Sequence, residues 1–390
     1  MSRYRSYINT AKAIIDQYKG QEPLAVFLKQ FFAADKKYGS KDRKQIASLC
    51  YHYFRVGFAL ANIDIEEKLL AATLFCEHHF SSLLEHIRPE WNSIIGESVH
   101  KKAELLNEAF NETKLFPFEE ELSNGIDKKS FAMSFLQQPK LFLRLRPGHE
   151  KTVAAKLDAI GVVFKKINDY CLALANSTRI DEEIAIDKEA VVQDYNSQQV
   201  GEVIRPFVTI AKCPINVWDC CAASGGKSIM LYDINNQIQL TVSDIRPSIL
   251  HNLHSRFKRA GITGYQSLVT DLETGKGKLA AGRHFNFIIA DVPCTGSGTW
   301  ARTPEQLYFF KKETIDGYVR RQQKIIGHVI PHLVSGGYLI YITCSVFKKE
   351  NEDMVVQILK EPGIRLIEMK LLTGYDCFAD TMFVAILKKD

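Results

Sequence analysis

The chain changes its hydrophobic rhythm twice. Up to about residue 130, apolar positions recur every three or four residues. Ile8, Ala11, Ile14, Ile15 and Tyr18 share one helical face, which stops at Gly20. Pro23 opens a second run through Leu24, Val26, Phe27, Phe31 and Phe32, and a third runs from Asp42 through Ile46, Leu49, Tyr53 and Phe54. Further helices are predicted beyond, broken near Pro89 and Gly96. Residues 1–130 are expected to form a helical domain. Over 131–190 the pattern becomes mixed. Leu141-Phe142-Leu143-Arg144-Leu145-Arg146 alternates and turns at Pro147-Gly148, and Val153, Leu157 and Ile160 mark a helix ending at Gly161. Val162-Val163-Phe164 and Leu172-Ala173-Leu174 look like short strands, so a small α+β module is expected. From 191 to 390 strands and helices alternate, with strand candidates at 215–218, 240–242, 285–290, 338–343 and 383–387. That order predicts an α/β domain with a parallel, doubly wound, Rossmann-like sheet.

Composition narrows the class. The chain has 390 residues, 46% hydrophobic and 24% charged, which is enough apolar material for a true core in two or three domains. The first residues carry no apolar run of the signal-peptide kind, and the longest uncharged apolar run, 334–347, is too short for a membrane helix. Nine cysteines without paired spacing point to a reducing compartment, so a cytoplasmic location with no membrane partner is expected. Cys76-Glu77-His78-His79 lacks a second ligand pair at zinc spacing, and no metal is expected. Charge is uneven. Residues 1–60 hold 11 Lys/Arg against 4 Asp/Glu, a net +7, while 61–137 hold 7 against 14, a net −7. A basic head of this kind suits a phosphate backbone, and Lys36, Lys37, Lys41, Arg43 and Lys44 are the candidates for that contact.

Four segments carry chemistry. Trp218-Asp219-Cys220-Cys221-Ala222-Ala223-Ser224-Gly225-Gly226-Lys227 reads as a strand, a tight loop of small residues and a helix start, which lets backbone N–H groups approach a ligand. It is neither GxGxxG nor a P-loop. Ser243-Asp244 ends the next strand, where an acid takes ribose hydroxyls, and Asp271 ends the one after, within reach of an adenine. Ile288-Ile289-Ala290-Asp291-Val292-Pro293-Cys294 is an apolar strand ending in an acid and a thiol. Tyr338-Leu339-Ile340-Tyr341-Ile342-Thr343-Cys344-Ser345, followed by Glu350-Asn351-Glu352, places a second thiol at a strand tip. Either cysteine alone fits a small core residue equally well. Two at corresponding strand ends are harder to dismiss.

These segments resemble the RNA cytosine-5 methyltransferase family, whose patterns read DxCAAPGGKT, DAPCSGxGxxRRxP and TCSxxxxENE. The likeness runs from about 191 to 390, and includes Gln193-Asp194 and Gly374 with Phe383-Val384-Ala385-Ile386-Leu387. The N-terminal part is similar to the helical NusB-type antitermination factor, through Asp42-Arg43-Lys44-Gln45-Ile46, Leu49, Tyr51 and Arg55. This pairing is similar to bacterial enzymes acting on small-subunit ribosomal RNA. Three departures stand out: Ser224 replaces a proline, Thr295 a serine, and Ala301 the first arginine of a pair. The last puts the substrate, more than the chemistry, in question.

The resemblance implies a mechanism and a set of residues. Cys344 would add to carbon 6 of a cytosine, making carbon 5 nucleophilic towards the methyl sulfonium of S-adenosylmethionine. Asp291 would hold the cytosine edge, and Cys294 would assist loss of the carbon-5 proton and release of Cys344. Cys221, Ala222, Ala223, Ser224, Gly225, Gly226 and Lys227, with Asp244, Asp271 and Asp291, would bind the donor. Lys227 serves either the donor or the base. In DNA cytosine-5 methyltransferases the Pro-Cys cysteine attacks, so the additional Thr-Cys-Ser cysteine favours RNA. The expected partner is ribosomal RNA, with transfer RNA as the alternative, and the protein is expected to be a monomer. Two other readings stand beside this one: a non-catalytic RNA-binding ribosome-assembly factor on the same fold, and a small-molecule methyltransferase.

Overall fold

The computed structural model describes residues 3–35, 37–60, 63–106, 109–210, 215–277 and 282–390. They divide into two units, one of residues 1–120, 126–138 and 299–312, the other of residues 121–125, 139–298 and 313–390. Residues 126–138 and the later excursion 299–312 fall in the first unit with the N-terminal helices.

The first unit is helical, with helices at Arg3–Gln17, Leu24–Ala34, Ser40–Val56, Ile65–Cys76 and Val99–Leu105 among others. Pro89 begins a short helix, Pro89–Asn92, at the first-turn position that its missing N–H suits. Arg55, 2% exposed, ties the unit together. Its Nη1 donates to the carbonyls of Phe135, Gln137 and Ala301 at 3.0, 2.9 and 2.8 Å. The backbone at Ala301 therefore takes part in a buried knot, whatever side chain stands there.

The second unit carries both sheets. Strands β1 (Leu141–Leu145), β2 (Phe164–Asn168), β3 (Cys171–Leu174) and β4 (Ala190–Val192) form a small antiparallel sheet in the order β2-β3-β1-β4. β2 begins two residues later than the pattern suggested, and Val163, a predicted strand residue, is 89% exposed.

The large sheet comprises β5 (Ile215–Asp219), β6 (Ile238–Asp244), β7 (Gln266–Asp271), β8 (Lys276–Gly277), β9 (Phe285–Asp291), β10 (Leu333–Thr343), β11 (Ile364–Leu372) and β12 (Met382–Lys389). Its order is β11-β12-β10-β9-β5-β6-β7-β8. The core β10-β9-β5-β6-β7 is parallel, as predicted. β12 instead runs antiparallel between β10 and β11. Alternation buries both faces: Val217, Ile289, Ile340 and Val384 meet one apolar cluster, Trp218, Ile288, Tyr341 and Phe383 the other. Chain order reverses between β5 and β9, so their carboxyl ends form the switch point at which such sheets usually bind ligands. Among the described residues no helix is long and apolar enough to cross a membrane.

Candidate functional site

Every residue singled out from the four segments lies in the second unit, at or just past the carboxyl end of a strand of the large sheet. The loop after β5 is held by backbone bonds. Cys220 N donates to Ile289 O at 2.9 Å, Ala222 N to Ser243 O at 2.9 Å, and Gly225 N to Ala222 O at 2.8 Å. Ala223 sits at φ +46, a left-handed conformation that costs an alanine about 1 kcal/mol or more. Gly225, at φ +85, begins the helix Gly226–Ile234, and a Cβ there would lie 2.6 Å from Phe257 Cε1. Strain and close approach thus concentrate in this loop.

Two acids flank this loop. Asp244 accepts from Ala223 N at 3.1 Å and from Arg246 N at 2.9 Å, and pairs with the Arg246 guanidinium at 3.0 Å. The next residue, Ile245, is 55% exposed, an apolar surface beside a carboxylate. Asp219 is fully buried. One oxygen accepts from Ser228 Oγ at 2.6 Å, and Oδ1 has no partner among the described residues. Burial, aided by the charges of Asp291 and Asp244, pushes its carboxyl up to about 7. Asp271 is differently occupied: its carboxylate accepts from Thr274 Oγ1 at 2.6 Å and Glu273 N at 2.9 Å, capping its own turn. The Thr274 hydroxyl bond holds its pKa below the usual range.

Lys227 points from the first helical turn to Asp291, Nζ to Oδ2 at 3.2 Å, and donates to Ser197 Oγ at 2.7 Å. Asp291 ends β9 opposite Ile342 of β10. Three residues on, Cys294 Sγ lies 3.4 Å from Cys344 Sγ, one thiol bonding the other. The Cys344 contact, with burial, holds the Cys294 thiol well above its ordinary pKa.

A buried polar cluster fixes the two cysteine loops. Glu350, 0% exposed, accepts from Thr295 N at 2.9 Å, Thr295 Oγ1 at 2.6 Å and Gln322 Nε2 at 3.1 Å, and from the Ser345 hydroxyl. Burial raises its carboxyl, which these bonds counter. Asn351 accepts from Thr343 Oγ1 at 2.5 Å and donates to Ser345 O at 2.9 Å. Gly298 N donates to Cys344 O at 2.8 Å, and Thr381 N to Gly298 O at 3.0 Å. Sequence reasoning did not single out Glu350, Gln322 or Ser197 for the site. Glu350 was visible as part of a motif, whereas Gln322, mid-helix, carries no sequence signal.

The arrangement fits a nucleoside-bearing donor. An acid at the end of β6, an exposed apolar side chain beside it, a strained loop of small residues and an orphaned buried oxygen at the end of β5 gather at the carboxyl ends of β5 and β6. Among the described residues no group of three or more His, Cys, Asp or Glu is placed to hold a metal ion.

Comparison with known proteins agrees with this architecture. Residues 214–379 match the sequence model of a family described as 16S rRNA methyltransferase RsmB/F. A curated relative, Ribosomal RNA small subunit methyltransferase B of Shigella sonnei, is 26% identical over 237 residues, covering 57% of this chain and 52% of the relative. The chain thus spans about half the length of the curated relatives it matches. A solved structure named PH0851 superposes over 99% of this chain and 98% of its own, with TM-score 0.70 at 18% identity. NSun6 from Pyrococcus horikoshii, solved with SFG, covers 70% of this chain and 97% of its own, with TM-score 0.59 at 13% identity. These two structures establish the fold.

Proposed function

We propose, from the match of residues 214–379 to the family described as 16S rRNA methyltransferase RsmB/F, that this chain transfers a methyl group from S-adenosylmethionine to carbon 5 of a cytosine in ribosomal RNA. The observation that carries the reading is the 3.4 Å contact between Cys294 and Cys344, beside the Lys227–Asp291 pair. Two thiols at neighbouring strand ends serve a covalent route with separate addition and elimination roles.

Cys344 adds through Sγ to carbon 6 of the cytosine, and carbon 5 gains the electron density to attack. Bound beside Asp244 and the 221–227 loop, S-adenosylmethionine supplies an electrophilic methyl group. Asp291 orients the base edge, and Lys227 neutralises charge there. Cys294 keeps its proton at rest, because the Cys344 sulfur raises its pKa. Once Cys344 is bonded to carbon, that largest cause is gone, so Cys294 gives its own proton up to solvent and stands as a thiolate. It then takes the carbon-5 proton as the Cys344–carbon bond breaks and the ring double bond re-forms. Asp271, committed to its own turn, reaches a donor only by giving up those bonds. Because a paired base cannot reach two strand-end thiols, the target is an unstacked nucleotide.

The test uses Cys294→Ala with S-adenosylmethionine and cellular RNA on a denaturing gel. A slow-migrating protein–RNA adduct that disappears on adding Cys344→Ala is expected. An intact donor site with no adduct would turn the reading towards a non-catalytic assembly factor.

A further inference from the structure

We infer that Arg256, anchored by the buried Asp187, is a positioning residue for the loop Cys221–Lys227, replacing the rigidity that proline at position 224 gives the family pattern. The inference rests on the reading of that loop as the donor site.

A proline locks its own φ and restricts the residue before it, so a loop that carries one is partly shaped before any contact forms. Ser224 has no such lock, yet it follows Ala223 at φ +46, a conformation that must be held from outside. The hold is visible. Arg256 Nη1 donates to Ser224 Oγ at 3.0 Å and to Ser224 O at 3.2 Å. The first of these acceptors exists only because serine stands there.

The other edge of the guanidinium is fixed. Nε and Nη2 of Arg256 donate to Asp187 Oδ1 at 2.9 and 2.8 Å. Arg259 takes the second oxygen, with Nη2 at 2.7 Å and Nε at 3.2 Å. Asp187 is 1% exposed, and its backbone is pinned by its N–H to Ala190 O at 2.7 Å and by Arg146 Nη1 on its carbonyl at 2.9 Å. A charge-assisted bond from so well-held an anchor is among the stronger ones available to a loop.

The same helix, Pro247–Ala260, presents Leu253 and Phe257 to Gly225, whose added Cβ would lie 3.1 Å from one and 2.6 Å from the other. Neighbouring loop residues are therefore seated by one helix, Ser224 by a hydrogen-bonding clamp and Gly225 by close packing. Arg259 remains on Asp187 when Arg256 is removed, so the anchor is not left as an unpaired buried charge.

The test is a double-mutant cycle on donor-site affinity, read by calorimetry with S-adenosylhomocysteine as the probe. Arg256→Ala is expected to weaken binding about tenfold in the natural chain, and by less than about twofold in a Ser224→Pro background. In turnover, the donor KM rises in step with that loss while kcat changes less. Equal losses in both backgrounds, or no loss in the natural chain, overturn the inference and leave the donor site standing. Failure of the natural chain itself to bind the probe overturns the donor site and this inference together. If Arg256→Ala does not fold, Ser224→Ala removes only the Oγ acceptor. About a threefold loss is then expected, and unchanged affinity overturns the clamp.

Discussion

The Glu350 carboxylate accepts from the Thr295 amide at 2.9 Å and from the Thr295 hydroxyl at 2.6 Å, so one buried side chain fixes the residue next to Cys294. It also accepts from the Ser345 hydroxyl, next to Cys344. A single acid therefore braces both loops that carry the thiols, whose sulfurs lie 3.4 Å apart.

Glu350→Gln should break that brace. Donors meet both oxygens, and an amide would turn two further N–H groups on them. The expected loss is about 2–4 kcal/mol of stability, with kcat down at least about tenfold and donor affinity little changed. Urea denaturation and single-turnover rates on the same variant check it. A variant with normal stability and rate would show that the loops hold their places without the acid.

Asp219 predicts a pH dependence. Its carboxyl is raised to about 7 by burial, so the folded state binds a proton that the unfolded state releases near pH 4. Stability from this group is complete below pH 4 and is lost as pH rises towards 7, by up to about 4 kcal/mol. Asp219→Asn should remove that portion of the slope and raise stability at pH 8. Denaturation midpoints from pH 4 to 8, compared as the difference between the two proteins, test it. Parallel profiles would show that Asp219 ionises normally.

Gly298→Ala should fail to fold normally. A Cβ there would lie 2.1 Å from Thr381 O and 3.0 Å from Cys344 O, both backbone atoms that cannot step aside. About 3 kcal/mol or more of destabilisation is expected, measured as a drop in melting temperature. A melting temperature within a degree of the natural protein's would mean the segment after Cys294 is looser than drawn.

The sequence made the parallel core legible because β5, β6, β9 and β10 are buried on both faces, and such runs stand out between helices. β11, Ile-Arg-Leu-Ile-Glu-Met-Lys-Leu-Leu, escaped notice because an edge strand mixes charged and apolar residues. The direction of β12 was equally hidden, since alternation reads the same both ways along a strand. β4 is three residues long, too short to carry a pattern. At the site, the order of motifs brought the two cysteines forward, and the structure sets them in contact. The work of Glu350 was invisible, because Thr295 and Gln322 lie 55 and 28 residues from it. The tie of Asp187 to Arg256 spans 69 residues and is likewise a product of folding.

Binding of RNA by the basic N-terminal stretch yields the last prediction. Lys36 lies outside the described residues, while Lys37, Lys41, Arg43 and Lys44 are all exposed. They are not equivalent. Lys37 pairs with Asp35 at 2.6 Å, and Arg43 Nε donates to Tyr38 O at 3.0 Å, so each already has an internal partner. Both would have to exchange it for a phosphate. Lys41 and Lys44 stand on the exposed first turns of the helix Ser40–Val56. Replacing these two with Gln should weaken binding to a ribosomal RNA fragment uniformly across sequences. The slope of log affinity against log salt should fall by about 1.4–1.8, the counterion release of two phosphate contacts. The same replacement at Lys37 and Arg43 should change the slope less, because each loses an internal bond as well as a contact. Filter binding between 50 and 200 mM salt resolves the difference. An unchanged slope in the Lys41 and Lys44 variant would assign this stretch to a solvated helix face and move RNA recognition elsewhere on the chain.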